Sequence, residues 1–380
     1  MPLKLPASVY QPLVRHCRAT LSSFLLLPLL QVAFLLYIAL LRPPVLPPLP
    51  VAHGLSKRGG WTYEGSVARS TFSADTVHIV TSWCSVSASD PAMASLKSIL
   101  LADAQHGAPE GSPLAFHIFT DAATTRAWRR SDPMFLEVRA ILARHPARYS
   151  VRMLCVDDLD DLARAGFEAE AAGAPAVAAL PELTRAVQAA VSFDSTRFRC
   201  AAARLLSPLV LRDLQRYIYL DYDTVTLCDI RRLQAVFASF PSAAALGLGS
   251  EFPSPAVRGG YYSVYSIPTG VPNGVNSGVI LFDLPRLRRA FGSLLAYTTA
   301  LAAIIAEGTY APLTGGRYSG AMPDQDVLNV LAIKHPGLVH VLSPTWHTVS
   351  GGTGAACLQY LACCLCNPPH PNPLSLPLNP

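Results

Sequence analysis

The chain has 380 residues, enough for one large domain or two small ones with appended segments. Its net charge of +5 comes without any run of basic residues, so we expect no nucleic-acid partner.

An uncharged apolar stretch, residues 21–41, predicts a membrane-spanning helix, since about 21 residues in a helix cover the roughly 30 Å of a bilayer core. A cleavable signal peptide is the alternative, but its apolar region is usually shorter, about 7–15 residues. Lys4, Arg15 and Arg18 precede the stretch and only Arg42 adjoins its far side. The positive-inside rule then predicts a type II orientation, with the rest of the chain luminal.

The predicted anchor divides the chain into segments. Residues 1–20 are expected to be a cytosolic tail, and residues 42–75 a stem, because Arg42–Pro50 is too rich in proline for helix or sheet. The nine cysteines suit an oxidising lumen, but an odd number leaves at least one unpaired within the chain, and the sequence leaves their connectivity open.

After the stem, strand-like and helix-like stretches alternate. The predicted strands are Thr76–Thr81, Leu114–Phe119, Tyr149–Val156, Tyr217–Leu220, Ala243–Leu248, the strand entered from Gly274, and Leu338–Leu342 as the last. Predicted helices start at Asp90–Pro91, at Asp132–Pro133 and at Asp324, and others cover Cys200–Asp213, Ile230–Phe240 and Pro285–Glu307. The Ala-rich residues 163–192 are interpreted as an insertion. This order predicts an α/β fold with a mostly parallel, doubly wound sheet.

The stretch Tyr217–Leu220 runs directly into Asp221 and Asp223. On an extended backbone, residues i and i+2 point the same way about 6–7 Å apart, so two carboxylates can converge on one cation. Carboxylates are hard ligands that suit Mn²⁺ or Mg²⁺, whose usual partner is a diphosphate. An acidic turn without a metal is the alternative.

Two other Asp-x-Asp pairs have simpler explanations. Asp158 and Asp160 lie in an acidic cluster typical of a solvated helix start, and Asp324 and Asp326 begin a helix, where Asp324 would be an N-cap candidate. Only the Asp221 pair follows a strand, where α/β proteins place their ligands.

Three ordered motifs resemble one family: YLDYD, then VNSGVILFDLPRLR, then PDQDVLNVL followed by HPGLVHVLSPTW. Over residues 76–348 the chain resembles the retaining glycosyltransferases of family 8, and within them the glucoside and xyloside xylosyltransferases. The resemblance implies a Rossmann-like GT-A fold and a UDP-sugar donor, with UDP-xylose favoured. It also implies Mn²⁺ or Mg²⁺, a glycan or glycoprotein acceptor, and a Golgi or endoplasmic reticulum location.

The same resemblance implies roles for individual residues. Asp324 and Gln325 would hold the donor sugar and border the reacting carbon, as the catalytic pair. The metal ligands would be Asp221 and Asp223. The residues expected to contact the donor are Thr81 near the uracil, Arg204, Asp221, Tyr222 through its backbone, Asn276 and Ser277.

The carboxyl-terminal end departs from the family. Similar enzymes usually supply a third metal ligand from a His-x-x-Gly segment, and nothing similar follows Trp346, although His347 is a candidate ligand. Residues 349–380 form an atypical Cys- and Pro-rich tail. Two other functions therefore stay open: a glucosyl or galactosyl transferase of the same family, and a catalytically weak, truncated sugar-nucleotide-binding protein.

Overall fold

The structure is a computed structural model that describes residues 60–63, 75–84, 89–107, 111–129, 133–156, 196–251, 268–308, 323–343, 346, 348–349 and 359–361. The predicted anchor, the insertion at 163–192, the Asp158 pair and His347 lie outside the described residues.

The main feature is an eight-stranded sheet with the strand order β1-β4-β3-β2-β5-β8-β7-β9. Its strands are β1 (Gly60–Tyr63), β2 (Val77–Trp83), β3 (Leu114–Thr120), β4 (Tyr149–Cys155), β5 (Arg216–Leu220), β7 (Leu246–Ser250), β8 (Val275–Asp283) and β9 (Val339–Leu342), while β6 (Thr224–Thr226) joins a smaller sheet. Strands β2, β3, β4 and β5 are parallel; β8 is antiparallel to both β5 and β7, and β1 is antiparallel to β4. The sheet is therefore mixed and mostly parallel, as the alternating pattern predicted.

Helices cover both faces of this sheet. They are α1 (Ser89–His106), α2 (Ala122–Arg129), α3 (Pro133–Arg144), α4 (Thr196–Val210), α5 (Ile230–Gln234), α6 (Leu284–Phe291), α7 (Leu294–Ala306) and α8 (Pro323–Lys334), with a 3₁₀ helix at Ala235–Ser239. One buried cluster joins α4, α6, α7 and α8 to the sheet, and a second joins α1, α3 and α5 to the opposite face. The sheet is buried on both sides, which explains why its strands are nearly continuous apolar runs.

The prediction of one helix over Pro285–Glu307 is wrong. Gly292 has a φ of 84°, which glycine adopts without a steric penalty, and Ser293 caps the next helix by accepting a hydrogen bond from the Ala296 N–H. The chain therefore turns, and α6 and α7 are bent by 71°.

Within the described part of the chain, no single helix is long and apolar enough to cross a membrane. Taken together, α6 and α7 have sufficient length and apolar composition, although they are bent.

Two further strand predictions need correction. The strand expected at Ala243–Leu248 begins at Leu246, because Ser242 and Ala243 form a turn that the Ala244 N–H closes by donating to the Pro241 carbonyl. Leu338–Leu342 is also not the last strand. Two short strands follow it: β10 (Thr348–Val349) and β11 (Gln359–Leu361).

These two short strands show that part of the tail belongs to the fold. β11 pairs in parallel with β6, with Gln359 opposite Thr224, and β10 pairs with β11. The tail therefore covers an edge of β6, the strand that begins one residue after Asp223.

A buried histidine pair predicts a loss of stability in acid. His78 Nδ1 and His117 Nε2 lie 3.1 Å apart under α4, and burial lowers the pKa of His78 to about 4. The pKa of His117 is also lowered, by burial, by His78 and by Arg152. The folded state takes up a proton on His78 less readily than the unfolded chain. We therefore expect the free energy of unfolding to fall by about 3 kcal/mol for His78 as the pH drops from about 6.5 to about 4.

Urea unfolding between pH 7 and pH 4.5 measures the free energy of unfolding of the parent and of the variant His78→Asn, whose side chain at position 78 cannot titrate. The parent should lose stability more steeply than the variant. Parallel curves would show that His78 does not carry this pH dependence.

Candidate active site

The candidate site lies along the edge of the sheet where β5 and β7 end. Because β8 runs in the opposite direction, its first residues lie beside those ends: Val275 is opposite Ser250, and Val279 is opposite Leu220. This edge is where open α/β sheets bind ligands. The topology thus brings two predicted groups together, the Asp221 pair and the Asn276–Ser277 pair.

Asp221 and Asp223 lie in a turn and not on an extended backbone, so the extended geometry predicted for them is wrong. The N–H of Thr224 donates to the carbonyl of Asp221 at 3.1 Å, which is the bond of a β-turn, and the chain is redirected from β5 into β6. The N–H of Asp221 donates to the Gly278 carbonyl at 2.9 Å, which ties the turn to β8. Both carboxylates are half-buried at the edge of the sheet.

Arg204, on α4, connects three of the predicted residues. Its guanidinium forms salt bridges with both Asp221 and Asp324 and donates to Ser277 Oγ at 2.6 Å. The Arg204 side chain is 9% exposed, so these interactions are formed largely out of water. Residues separated by 120 positions in the chain are thereby held in one cluster.

The burial of this cluster shapes its electrostatics. Burial opposes the charge on Arg204, but the carboxylates of Asp221 and Asp324 outweigh this effect and raise the pKa of Arg204 well above its usual value. Burial raises the pKa of Asp221, against the opposing effect of Arg204. Asp221 is thus a carboxylate that a further positive charge would stabilise.

Tyr219 and Ser82 support Asp221 from within the sheet. The Tyr219 hydroxyl donates to Asp221 at 3.3 Å and is hydrogen-bonded to the hydroxyl of Ser82. The guanidinium carbon of Arg204 lies 4.7 Å from the centre of the Tyr219 ring, within the range of a cation–π contact.

A second polar group surrounds Gln325 at the start of α8. Its Oε1 accepts a hydrogen bond from the N–H of Ser277 at 3.2 Å, and its Nε2 donates to Glu251 at 3.1 Å. Asn276 Nδ2 donates to the same Glu251 oxygen at 3.0 Å. Asn276, Ser277 and Gln325 are therefore neighbours.

Helix α8 is fixed against β8 by Asn329. Its side chain accepts from the N–H of Val275 and donates to the carbonyl of Val275, at 2.8 and 3.1 Å. Asp324 lies inside this helix and its carboxylate is held by Arg204, so the N-cap interpretation of Asp324 is wrong.

Two more predicted residues lie in apolar surroundings of the sheet. Thr81 is buried on β2 and is adjacent in the chain to Ser82, which does join the cluster through Tyr219. Tyr222 packs against the hydrophobic cluster on the face of the sheet that α1 and α3 cover.

Sequence reasoning did not select Ser82, Tyr219, Glu251 or Asn329. A usable signal existed for Glu251, because it directly follows the strand β7 and thus lies at the ligand-binding edge. For Asn329 the signal is its position four residues after Gln325 on the same helix.

The described residues offer few ligands for a metal ion. Among the described residues, no group of three or more His, Cys, Asp or Glu side chains could hold a metal ion. Asp221 and Asp223 nevertheless provide two carboxylates. This number suits Mg²⁺ or Mn²⁺ when a diphosphate and water complete the coordination, so the residues present fit such an ion.

A surface cleft of about 460 Å³ lies elsewhere, beside the carboxyl-terminal ends of α6 and α8. Two of its basic side chains have partners nearby. Arg286 donates to the carbonyls of Pro241 and Ala244, and Lys334 pairs with Glu307.

Comparison with known proteins identifies related sequences. The chain is 27% identical to glucoside xylosyltransferase 1 of Gallus gallus over 149 residues, and 27% identical to xyloside xylosyltransferase 1 of Mus musculus over 185 residues. It is 33% identical to the xylosyl- and glucuronyltransferase LARGE2 of Homo sapiens over 145 residues. The chain is homologous to glucoside and xyloside xylosyltransferases. The motif resemblance is thereby confirmed.

The homology covers only part of each protein. The three matches span 39%, 46% and 38% of this chain, and the chain covers 34%, 44% and 19% of the respective relatives. No family model matches the chain.

Solved structures of other proteins align with about 71% of this chain. The apo form of mouse xyloside xylosyltransferase 1 aligns with 71% of this chain and 86% of its own, with a TM-score of 0.46 and 19% identity. The galactosyltransferase LgtC, in complex with donor and acceptor sugar analogues, aligns with 71% of this chain and 74% of its own, with a TM-score of 0.41 and 16% identity.

Proposed function

We propose that this chain is a retaining glycosyltransferase with a GT-A fold, which transfers xylose from UDP-xylose to a sugar on a glycan or glycoprotein acceptor. The observation that carries the proposal is the single cluster formed by Asp221, Arg204, Ser277, Asp324 and Gln325 at the ligand-binding edge of the sheet. These residues come from all three motifs and from the helix that precedes the first of them. Their assembly supports one functional site.

The charges of the site support a cation. The described carboxylates along this edge are Asp221, Asp223, Asp324 and Glu251, against the single guanidinium of Arg204. A diphosphate would be repelled by this excess of negative charge. We infer that Asp221 and Asp223 hold Mn²⁺ or Mg²⁺, which, when bound, would supply positive charge to the leaving diphosphate.

The residues of the chain would position the sugar. Breaking the bond between the anomeric carbon and the phosphate oxygen leaves negative charge on UDP and a partly cationic sugar. Asp324, oriented by its salt bridge with Arg204, would bind hydroxyl groups of the sugar, and Asn276 and Ser277 would lie beside it.

Retention of the configuration at the anomeric carbon can occur in two ways. Either a nucleophile of the protein attacks first, or the acceptor attacks the same face of the sugar from which the phosphate departs. Gln325 is a poor nucleophile, and its amide oxygen already accepts a hydrogen bond from Ser277. This favours attack on the same face, with the departing phosphate taking the proton of the acceptor hydroxyl.

A donor panel tests the proposal. The purified protein would be incubated with manganese and UDP-xylose, UDP-glucose, UDP-galactose or UDP-glucuronate, and UDP release would be measured with and without a glycoside acceptor. Glucuronate is included because one relative is a xylosyl- and glucuronyltransferase.

We expect the fastest acceptor-dependent release from UDP-xylose. Faster UDP release from another donor would show that the protein transfers that sugar and not xylose. Binding without turnover would indicate a sugar-nucleotide-binding protein, and no binding of any donor would contradict the proposed function.

We also propose that residues 21–41 anchor the chain in the Golgi or endoplasmic reticulum membrane with residues 42–380 luminal. The charge bias around the segment supports this orientation. Cys84 and Cys228 are both disulfide-bonded, which supports an oxidising compartment.

Protease protection tests this orientation. Protease added to sealed microsomes should leave the domain after residue 75 intact and should degrade it only after detergent is added. Degradation of the domain in sealed microsomes would contradict the luminal orientation.

A further inference from the structure

Glu251, the residue after β7, contacts the side-chain amides of both Asn276 and Gln325. One of its oxygens, Oε2, accepts hydrogen bonds from Asn276 Nδ2 at 3.0 Å and from Gln325 Nε2 at 3.1 Å. Asn276 belongs to β8 and Gln325 to α8. A single carboxylate thus connects the end of one strand, the start of its neighbour and the start of a helix.

The other end of each amide is also held. Asn276 Oδ1 accepts from the N–H of Gly278 at 2.8 Å, and Gln325 Oε1 accepts from the N–H of Ser277 at 3.2 Å. Both main-chain donors belong to β8, and Asn276 and Gln325 are 8% and 5% exposed. Each amide therefore has its oxygen facing a rigid strand and its nitrogen facing Glu251.

This arrangement excludes the flipped amide. Rotating the amide of Gln325 by half a turn would place its NH₂ group against the Ser277 N–H and its oxygen against the Glu251 carboxylate. Two donors and two acceptors would then face each other, and buried polar groups would lose their partners. The same argument applies to Asn276. Without Glu251, each amide nitrogen would lose the acceptor that favours the observed orientation.

We propose that Glu251 is a positioning residue that fixes the orientation of the Asn276 and Gln325 amides beside the donor sugar. The inference rests on the proposed function, because it concerns the same site. Bonds from an amide to an ionised carboxylate are stronger than those between neutral groups, which suits a residue that must hold two side chains at once. The reacting sugar tolerates little displacement of the groups around it, so a disordered amide should slow the reaction more than it weakens donor binding.

Two substitutions separate positioning from a direct chemical role. Glu251→Gln removes the charge but retains a carbonyl oxygen that can accept both hydrogen bonds, whereas Glu251→Leu removes the acceptor. Glu307→Gln, which changes an exposed carboxylate that pairs with Lys334 away from the site, is the matched control. We would measure kcat and KM for UDP-xylose with manganese, urea unfolding, and the side-chain amide NMR signals of protein labelled with ¹⁵N in Asn and Gln.

We expect Glu251→Leu to lower kcat about tenfold or more with a smaller change in KM, and to shift the amide signals of Asn276 and Gln325. Glu251→Gln should recover most of the lost kcat and the parental amide signals. If Glu251→Leu unfolds at lower urea than the parent, Glu251→Ala, which admits water, replaces it.

Equal loss of kcat in Glu251→Gln and Glu251→Leu would overturn the proposal, since the carboxylate itself would then act on the substrate. A parent that turns over no UDP-sugar would contradict the proposed function instead. In that case the NMR signals of the Asn276 and Gln325 amides alone test the positioning role of Glu251. If Glu251→Leu left these signals unchanged, the proposed positioning role would be overturned.

Discussion

Replacing Asp223 by Ala is expected to lower manganese-dependent turnover of the UDP-sugar by roughly 10²-fold or more. The physical reason is that Asp221 and Asp223 are the two described carboxylates available to a cation in the turn between β5 and β6. Removing one carboxylate weakens binding of the cation, and the leaving diphosphate that the cation would hold is then bound more weakly as well. Steady-state turnover at several manganese concentrations measures both the loss and any recovery at high metal.

Asp213→Ala is the matched control, because this aspartate is 89% exposed and lies just after α4, away from the turn. Its turnover should equal that of the parent, and both variants should unfold at the parental urea concentration. Parental turnover by Asp223→Ala would show that Asp223 is not a metal ligand.

The second large effect concerns stability and centres on Asp103 of α1. Its carboxylate, with a fully buried side chain, accepts hydrogen bonds from Arg148 at 2.6 and 2.9 Å and from the Tyr149 hydroxyl at 2.6 Å, and it forms a salt bridge with Arg231. Asp103→Ala would leave two guanidinium groups without their shared partner. We expect the free energy of unfolding to fall by about 3–5 kcal/mol, as for other buried ion pairs that lose one member.

The exposed pair Arg212–Asp213, with 3.5 Å between its charged atoms, is the comparison. Asp213→Ala should change the free energy of unfolding by less than about 1 kcal/mol, since exposed ion pairs contribute little. Urea denaturation at pH 7 measures both. Similar losses in the two variants would show that the Asp103 network does not stabilise the fold as its burial implies.

Acid should weaken the same network. Burial alone would raise the pKa of Asp103, but its bonds to Arg148, Tyr149 and Arg231 outweigh burial and lower it. The stabilisation is therefore present above the pKa of an unfolded aspartate, about 3.9, and is lost as the pH falls below that value.

Most strands and several helix starts could be predicted because each depends on a few neighbouring residues. The buried runs at β2, β3, β4, β5 and β8 are long and apolar, and Asp229 caps α5 by accepting from the N–H of Arg231. The prediction of a single helix over Pro285–Glu307 failed because the apolar pattern continues on both sides of the break. Gly292 and Ser293 together end one helix and start the next.

For the candidate site, the sequence by itself determined which residues to consider: the aspartates after β5, the polar start of β8 and the acidic start of α8. Only the tertiary structure decided how they meet. The antiparallel direction of β8 carries Asn276 and Ser277 to the ends of β5 and β7, and α4 carries Arg204 to both Asp221 and Asp324. Glu251 acquires its role in the same way, because the partners of a buried carboxylate are set by strand order and helix packing between residues far apart in the chain.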